Sequence, residues 1–170
     1  TYYDPRRFGY RGLIDTEARA VRPWFAGLGP EPLSDAFDPG HLARAFAGRV
    51  QGAKTLLLDQ RVVAGLGNIY VCEALNRAKI SPLKPAGSIK PAKLGPLVGI
   101  IREVLEEAIE AGGSTLKDYA AADGALGYFQ HRFRAYDREG EPCANPGCKG
   151  TIAREVQAGR STFYCRTCQK

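Results

Sequence analysis

Four cysteines near the carboxyl end constrain this chain more than any other feature of its sequence. They follow the pattern C-x4-C-x16-C-x2-C and are Cys143, Cys148, Cys165 and Cys168. Two thiolate pairs separated by a segment long enough for a two-stranded hairpin are typical of a tetrahedral zinc site. The spacing therefore predicts one structural zinc ion held by all four cysteines, with no open position for a reactive water.

Two disulfides are the alternative interpretation of the same four cysteines. The first pair is one or two residues looser than usual, although Pro146 and Gly147 supply a turn there. The chain shows no secretory segment, and a C-x2-C pair suits metal or redox chemistry better than a structural disulfide. We therefore favour zinc. A fifth cysteine, Cys72, lies outside the pattern, and we expect it to be a small buried residue of a helix.

The charge of the chain indicates a polyanionic partner. Of 170 residues, 24 are Lys or Arg and 18 are Asp or Glu, which gives a net charge of +6. Residues 128–170 carry eight basic against four acidic side chains, so most of the excess coincides with the cysteine pattern. A basic excess of this kind is typical of nucleic-acid-binding proteins. No apolar run approaches the length of a membrane span, so we expect no membrane partner.

Periodicity predicts a mainly helical body. Short helices are expected at His41–Phe46 and Ala53–Leu58, and apolar residues recur at helical spacing in Ile69–Ala78. Ser88–Glu110 is the clearest helical stretch, and Pro96 within it predicts either a kink or a later start. His131–Tyr136 alternates apolar and basic residues, which predicts a strand leading into the zinc module.

A glycine-containing turn precedes one of these predicted helices. Gly65 and Gly67 interrupt the pattern, and Asn68 is a good candidate for the residue that caps the helix after them. A helix start preceded by glycines presents backbone N–H groups to an anion, so it is a candidate phosphate site.

The amino-terminal part predicts a different kind of structure. Residues 1–15 are typical of a β-hairpin whose loop presents Arg6, Arg7 and Phe8, a set suited to insertion between DNA bases. Four prolines between residues 16 and 39 predict a linker. The chain has no Met and begins in a strand-like stretch, so we expect it to be a fragment.

Five stretches in this order resemble the bacterial formamidopyrimidine-DNA glycosylases, which remove oxidised purines such as 8-oxoguanine. They are DPRRFG (4–9), LGPEPL (28–33), GLGNIY (65–70), GGSTLKD (112–118) and GRSTFYCRTCQK (159–170). The resemblance covers essentially the whole chain. It implies a helix–two-turn–helix DNA-binding domain and a carboxyl-terminal zinc β-hairpin, preceded by a remnant of a β-sandwich domain.

The resemblance also implies domain limits. It places the remnant with its DNA-inserting loop at 1–26, a linker at 27–39, the helix–two-turn–helix domain at 40–130 and the zinc finger at 131–170. Double-stranded DNA containing oxidised bases is the implied partner, bound by a monomer in the bacterial cytoplasm at the nucleoid.

Roles for individual residues follow from the same resemblance. Arg6 and Phe8 match residues inserted into the space that the flipped nucleotide leaves. Lys54, Asn68 and Arg160 match phosphate-contacting residues, with Arg160 at the tip of the zinc hairpin. The stretch 114–128 matches a loop that closes over the flipped base.

One departure concerns the chemistry. The family uses an amino-terminal proline amine as nucleophile, followed by a glutamate, and no residue of this sequence matches either one. Thr1 is not a proline, and the nitrogen of Pro5 is an amide because Asp4 precedes it. We therefore predict no catalytic residue in this chain and no glycosylase or lyase activity from it alone. Two alternatives stay open: an endonuclease VIII-type glycosylase for oxidised pyrimidines, and a stand-alone zinc-dependent DNA-binding module.

Overall fold

A bundle of helices and a carboxyl-terminal hairpin make up the described part of the molecule. The structure, a computed structural model, describes residues 12–13, 15–17, 25–114 and 127–170. Its regular elements are α1 (Pro39–Phe46), α2 (Ala53–Leu57), α3 (Asn68–Arg77), α4 (Leu94–Glu110), β1 (Ile152–Gln157) and β2 (Arg160–Cys165), with 3-10 turns at Ala86–Ser88, Pro91–Lys93 and Phe129–Arg132. The predicted mainly α fold with a small β hairpin is confirmed.

The predicted β-hairpin of residues 1–15 and the β-sandwich remnant lie almost entirely outside the described residues. No helix among the described residues is both long enough and apolar enough to cross a membrane.

Prolines mark the starts of two helices. Asp38 caps α1 by accepting a hydrogen bond from the His41 N–H, and Pro39 follows as the first helical residue. Pro96 is the third residue of α4, where its missing N–H has no partner to lose. Of the two outcomes predicted for Pro96, the later start of the helix is therefore confirmed.

The start of α3 differs from the prediction by one residue. Gly67 occupies the capping position with extended backbone, and Asn68 is already the first residue of α3. No side chain caps this end, because Gly67 has none, and the Asn68 amide nitrogen donates to the hairpin. The prediction of Asn68 as the capping residue was therefore wrong.

Helix α4 supplies the centre of the helical core. Its residues Leu97, Ile101 and Val104 are fully buried, and α4 packs against both α1 and α3. A continuous apolar stripe on one face of a 17-residue helix produces this arrangement.

The segment predicted as a linker is fastened to this helical core. Phe37 is fully buried within it. The guanidinium group of Arg102 on α4 donates to the backbone carbonyls of Pro32, Ser34 and Phe37 at 2.9–3.2 Å. At least from Pro32 onward, this stretch packs as part of the helical body.

The strand predicted at 131–136 does not form. Phe129–Arg132 is a 3-10 turn, and the chain beyond it is irregular. The backbone N–H groups of Arg134, Ala135 and Tyr136 donate to the carboxylate of Glu73 at 2.8–2.9 Å instead of to a neighbouring strand. The alternating pattern arises because Phe133 and Ala135 are buried without being in a sheet.

Aromatic rings connect the helical core to the hairpin. Phe133 lies 5.6 Å from Phe129 and 5.5 Å from Tyr136, measured between ring centroids. Tyr136 in turn lies 5.0 Å from Phe163 on β2. Edge-to-face and tilted contacts at these separations add to the stabilisation that burial alone provides. This series of ring contacts packs the hairpin against the helical body.

Candidate metal centre and nucleic-acid interface

The four cysteines come together beside the hairpin, as predicted. Their sulfur atoms all lie within 4.8 Å of one another. Cys143 and Cys168 are 3.7 Å apart, and Cys148 and Cys165 are 3.6 Å apart. A disulfide requires about 2.0 Å, whereas sulfurs on a tetrahedral zinc ion, at about 2.3 Å from the metal, lie about 3.8 Å apart. The donor set and its spacing fit one zinc ion, and the disulfide alternative was wrong.

Backbone geometry shapes the sulfur cluster. Gly147 has φ +74° in the turn between the first two cysteines, and Gly150 follows the second. A Cβ atom on Gly150 would lie 2.7 Å from the sulfur of Cys165, closer than real contacts allow. The chain therefore needs a glycine at position 150 to bring the two pairs together.

The thiols differ in how readily they ionise. Burial opposes ionisation of Cys165, but hydrogen bonds from the backbone of Cys168 and Thr167 outweigh it and lower the pKa to about 7. Burial, together with the neighbouring thiols, raises the pKa of Cys168 to about 12. One thiolate forms easily, and a divalent cation has to replace the remaining protons. This behaviour suits a closed site for a structural metal.

The hairpin presents Arg160 at its tip. Gln157 and Arg160 pair across a two-residue turn, Ala158–Gly159, in which both residues have positive φ. Turns of this kind match the twist of the flanking strands. Arg160 is exposed, and it forms no salt bridge with any residue in the described ranges. Its guanidinium group is free to bind an anion.

The carbonyl of Ser161 brings Lys54 and Asn68 together next to the backbone of Arg160. The Lys54 ammonium donates to this oxygen at 2.9 Å, and the Asn68 amide donates to it at 3.0 Å. Because Ser161 follows Arg160 directly, α2 and α3 hold the backbone of the hairpin tip. We call this arrangement the Ser161 contact.

Lys54 itself does not lie on the surface. Its side chain is fully buried, and its ammonium group donates a second hydrogen bond to the Thr162 hydroxyl at 2.7 Å. Burial is the main cause that lowers the pKa of Lys54. The predicted direct contact of Lys54 with a phosphate does not fit this placement, since both hydrogen bonds go to the hairpin and no surface is left for a ligand.

Glu73 is a buried polar residue that the sequence analysis missed. It lies in the middle of α3, is fully buried, and accepts hydrogen bonds from three successive backbone N–H groups. Its signal in the sequence is an acidic residue between apolar neighbours, Cys72 and Ala74. Its role is to hold residues 134–136 on α3.

Other predicted site residues lie outside the part of the chain that the structure describes. They are Arg6, Phe8 and residues 115–126 of the predicted closing loop. Cys72 is buried in α3, as expected, and has no place in the metal cluster.

The fold and the site define a helix–two-turn–helix unit docked onto a four-cysteine zinc finger. The model of the formamidopyrimidine-DNA glycosylase H2TH (helix–two-turn–helix) domain matches residues 28–120. The model of a zinc finger found in FPG (formamidopyrimidine-DNA glycosylase) and IleRS matches residues 140–170. The chain belongs to the formamidopyrimidine-DNA glycosylase H2TH family.

Relatives of known sequence and structure resemble the chain over 92–100% of its length. The formamidopyrimidine-DNA glycosylase of Phenylobacterium zucineum is 72% identical over 170 residues, which is 100% of this chain and 59% of the relative. The crystal structure of MutM (Fpg) from Thermus thermophilus has a TM-score of 0.87 at 48% identity and covers 98% of this chain and 62% of that one. Lactococcus lactis Fpg in complex with abasic-site DNA has a TM-score of 0.81 at 36% identity, over 92% and 57% of the two chains. The chain thus spans about three fifths of the length of its relatives.

Proposed function

We propose that this chain is the DNA-binding portion of a base-excision-repair glycosylase and AP lyase that removes oxidised purines from duplex DNA. The observation that carries the proposal is the Ser161 contact. It places an exposed, unpaired Arg160 beside the start of α3. A basic side chain on a fixed backbone, next to a helix amino terminus, is suited to binding the phosphate backbone of DNA.

Two kinds of donor are available for the phosphates. Arg160 offers a planar guanidinium group that can hold a phosphate through two parallel hydrogen bonds. The first turn of the ten-residue α3 offers backbone N–H groups that no side chain caps. We propose that Arg160 and the start of α3 at Asn68 bind neighbouring phosphates. Lys54 supports them indirectly, by holding the carbonyl of Ser161.

Binding of the phosphates assists extrusion of the damaged base, which precedes the chemistry. Extrusion of a base from the duplex costs a few kcal/mol of stacking and pairing. Donors fixed by the protein fold bind the distorted backbone without further ordering, so they offset part of this cost. We propose that Arg6 and Phe8 act in the same step, in the space vacated by the extruded base.

The lesion class rests on relatives whose structures contain damaged DNA. A Lactococcus lactis Fpg mutant binds DNA containing Fapy-dG, and MutM binds DNA containing carbocyclic 8-oxo-G. We propose the same oxidised purines as substrates here, with catalysis by groups that no residue of this sequence matches. We also propose a monomer that acts in the bacterial cytoplasm at the nucleoid; sedimentation with and without duplex DNA tests the monomer.

Substitution Arg160→Ala tests the proposal directly. We expect the dissociation constant for a fluorescein-labelled duplex with an abasic-site analogue to rise about tenfold. The slope of log affinity against log salt concentration should become shallower by about the contribution of one phosphate contact. The melting temperature should not change, because Arg160 is exposed. Arg44→Ala, which removes an exposed charge from α1, is the matched control. Equal affinity of Arg160→Ala and wild type would contradict the proposal.

Lesion preference can be measured only when the catalytic groups are present. When the family's amino-terminal domain is joined to this chain, borohydride should trap a covalent complex on DNA containing 8-oxoguanine. Faster excision of thymine glycol than of 8-oxoguanine would instead favour the endonuclease VIII-type alternative.

A further inference from the structure

The first cysteine pair contains a residue that reaches back into the helical body. The loose C-x4-C spacing places Asn145 between Cys143 and Cys148. Asn145 is only 4% exposed, although its neighbour Ala144 is exposed. A buried amide in a short metal-binding turn requires partners, because an unpaired buried amide costs about 1–3 kcal/mol.

Asn145 finds a partner in the buried Asn76, which in turn bonds the buried Gln169, and we call these three residues the amide cluster. The Asn145 side-chain nitrogen lies 2.9 Å from the backbone oxygen of Asn76 and 3.2 Å from its side-chain oxygen. The Asn76 nitrogen donates to Gln169 at 2.9 Å, and Gln169 donates to the carbonyl of Ile80 at 2.8 Å. The cluster therefore joins α3 and the residues after it to the zinc finger.

The same cluster touches the metal ligands. The Asn145 nitrogen lies 3.4 Å from the sulfur of Cys168. The backbone N–H of Cys165 donates to the side-chain oxygen of Gln169 at 2.7 Å. Hydrogen bonds from outside the ligand set orient metal ligands. Two of the four zinc ligands, Cys168 and Cys165, are thus each linked to the end of α3 through two successive hydrogen bonds.

Helix α3 consequently holds the zinc finger at two points. Asn68, its first residue, holds the tip of the hairpin through Ser161, and Asn76, its ninth, holds the zinc end. The two residues are eight positions apart, so the points are about 12 Å apart along the helix. Fixing a hairpin at both ends removes its freedom to rotate about either one.

We propose that Asn145 is a positioning residue for DNA binding. It holds the zinc centre against the carboxyl end of α3, so that Arg160 at the tip of the hairpin lies near the start of the same helix. The longer first cysteine turn is the feature that provides this contact. The inference rests on the proposed function, because the consequence of misplacement is loss of the phosphate grip.

A double-mutant cycle on the 170-residue chain tests the proposal. The variants are Asn145→Ala, Arg160→Ala and the two combined, with Ala144→Asn as a matched control in the same turn. Zinc content is measured by mass spectrometry, and affinity by anisotropy on the abasic-analogue duplex. We expect Asn145→Ala to retain one zinc per chain and to bind DNA about tenfold more weakly than wild type, while Ala144→Asn binds as wild type.

The cycle distinguishes positioning from general stability. In the Arg160→Ala background, Asn145→Ala should weaken binding by less than about twofold, because the group it positions is already gone. Three results would overturn the proposal: wild-type affinity of Asn145→Ala, a full additive loss in the combined variant, or loss of zinc from Asn145→Ala.

A measurement without DNA separates this inference from the proposed function. Asn145→Ala should accelerate hydrogen exchange of the Ser161 and Thr162 amides in the zinc-loaded chain, and Ala144→Asn should not. If wild type fails to bind duplex DNA, the proposed function fails, and this exchange still reports whether Asn145 positions the hairpin. Unchanged exchange would contradict the positioning role independently of any DNA result.

Discussion

The side chain of Glu73 supplies hydrogen-bond acceptors that a neighbouring strand would otherwise provide. A buried carboxylate is costly unless several donors compensate for its lost hydration. Three consecutive backbone N–H groups, those of residues 134–136, supply the compensation at 2.8–2.9 Å. An irregular segment thereby stays in place between the helical core and the zinc finger without pairing in a sheet.

Substitution Glu73→Gln tests this role. The amide keeps the size of the side chain but turns an N–H₂ group toward backbone donors, so at least one hydrogen bond is replaced by repulsion. We expect the free energy of unfolding to fall by about 2 kcal/mol or more, measured by urea denaturation of the zinc-loaded chain. Glu110→Gln on the exposed end of α4 is the control, and it should change stability by less than about 0.5 kcal/mol. Equal stability of the two variants would contradict the assignment.

At the scale of single elements, the hairpin turn contains a strained position. Ala158 has φ +47°, a conformation that costs a residue with a Cβ atom about 1–2 kcal/mol. Gly159, the next residue, has φ +74° and no such cost. Asn followed by Gly is the preferred sequence for a two-residue turn of this kind.

Replacement Ala158→Asn should therefore stabilise the hairpin. We expect the free energy of unfolding to rise by about 0.5–1 kcal/mol, measured by thermal denaturation with zinc bound. The control is Ala47→Asn, at a position with φ −53° where asparagine relieves no strain. A gain of the same size at both positions would mean that turn geometry is not the cause.

Helices α3 and α4 are joined by a salt bridge whose strength depends on pH. Arg77 donates two hydrogen bonds to Glu107 at 2.7 and 2.8 Å. These hydrogen bonds are the main cause that lowers the pKa of Glu107 from its ordinary 4.5. Because the pKa is lower in the folded protein, the stabilisation is complete above pH 4.5 and is lost as the pH falls through the folded value.

A pH series on Glu107→Gln tests this dependence. Since the Glu107 side chain is 37% exposed, we expect a modest loss of about 1 kcal/mol at neutral pH. The difference in unfolding free energy between wild type and variant should narrow as the pH is lowered from about 7 toward about 3. Glu106→Gln, an exposed neighbour, should show no such convergence. A difference that stays constant with pH would exclude the carboxylate as its source.

At the scale of the whole molecule, two hydrophobic clusters of unequal size lie among the described residues. The larger is built from α1–α4 and reaches Phe133, whereas the smaller comprises Ala135, Ile152, Phe163 and two of the cysteines. Tyr136 contacts both clusters. From their sizes, we expect the helical core to persist alone and the small cluster to depend on the metal for its stability.

Removal of zinc should consequently affect the two clusters differently. With a chelator present, we expect DNA affinity to be lost while most of the helical circular dichroism signal remains. Readdition of zinc should restore binding, since the ligands are thiols rather than disulfides. Full DNA affinity without zinc, or collapse of the helical signal, would contradict the division into two clusters.

The sequence predicted the elements whose cause is local. The metal ligands follow from cysteine spacing, and α4 follows from its apolar stripe, because both patterns are complete within one segment. The failures involve partners far along the chain. Residues 131–136 alternate like a strand, but Glu73 accepts the backbone hydrogen bonds of three of them. The Lys54 ammonium likewise has its partners, Ser161 and Thr162, in the distant hairpin. Single-residue patterns contain no information about such partners.

The burial of Lys54 has a practical consequence for following this molecule in solution. An amine enclosed between α2 and the hairpin is inaccessible to acylating reagents, whereas the exposed lysines, such as Lys79 and Lys149, are open to them. Once released, an amine regains its ordinary hydration and becomes accessible to the reagent. Acylation at Lys54, distinguished from that of the exposed lysines by peptide mapping, would therefore record separation of the hairpin from the helices. The extent of acylation at Lys54 thus reports how often the zinc finger separates from the helices.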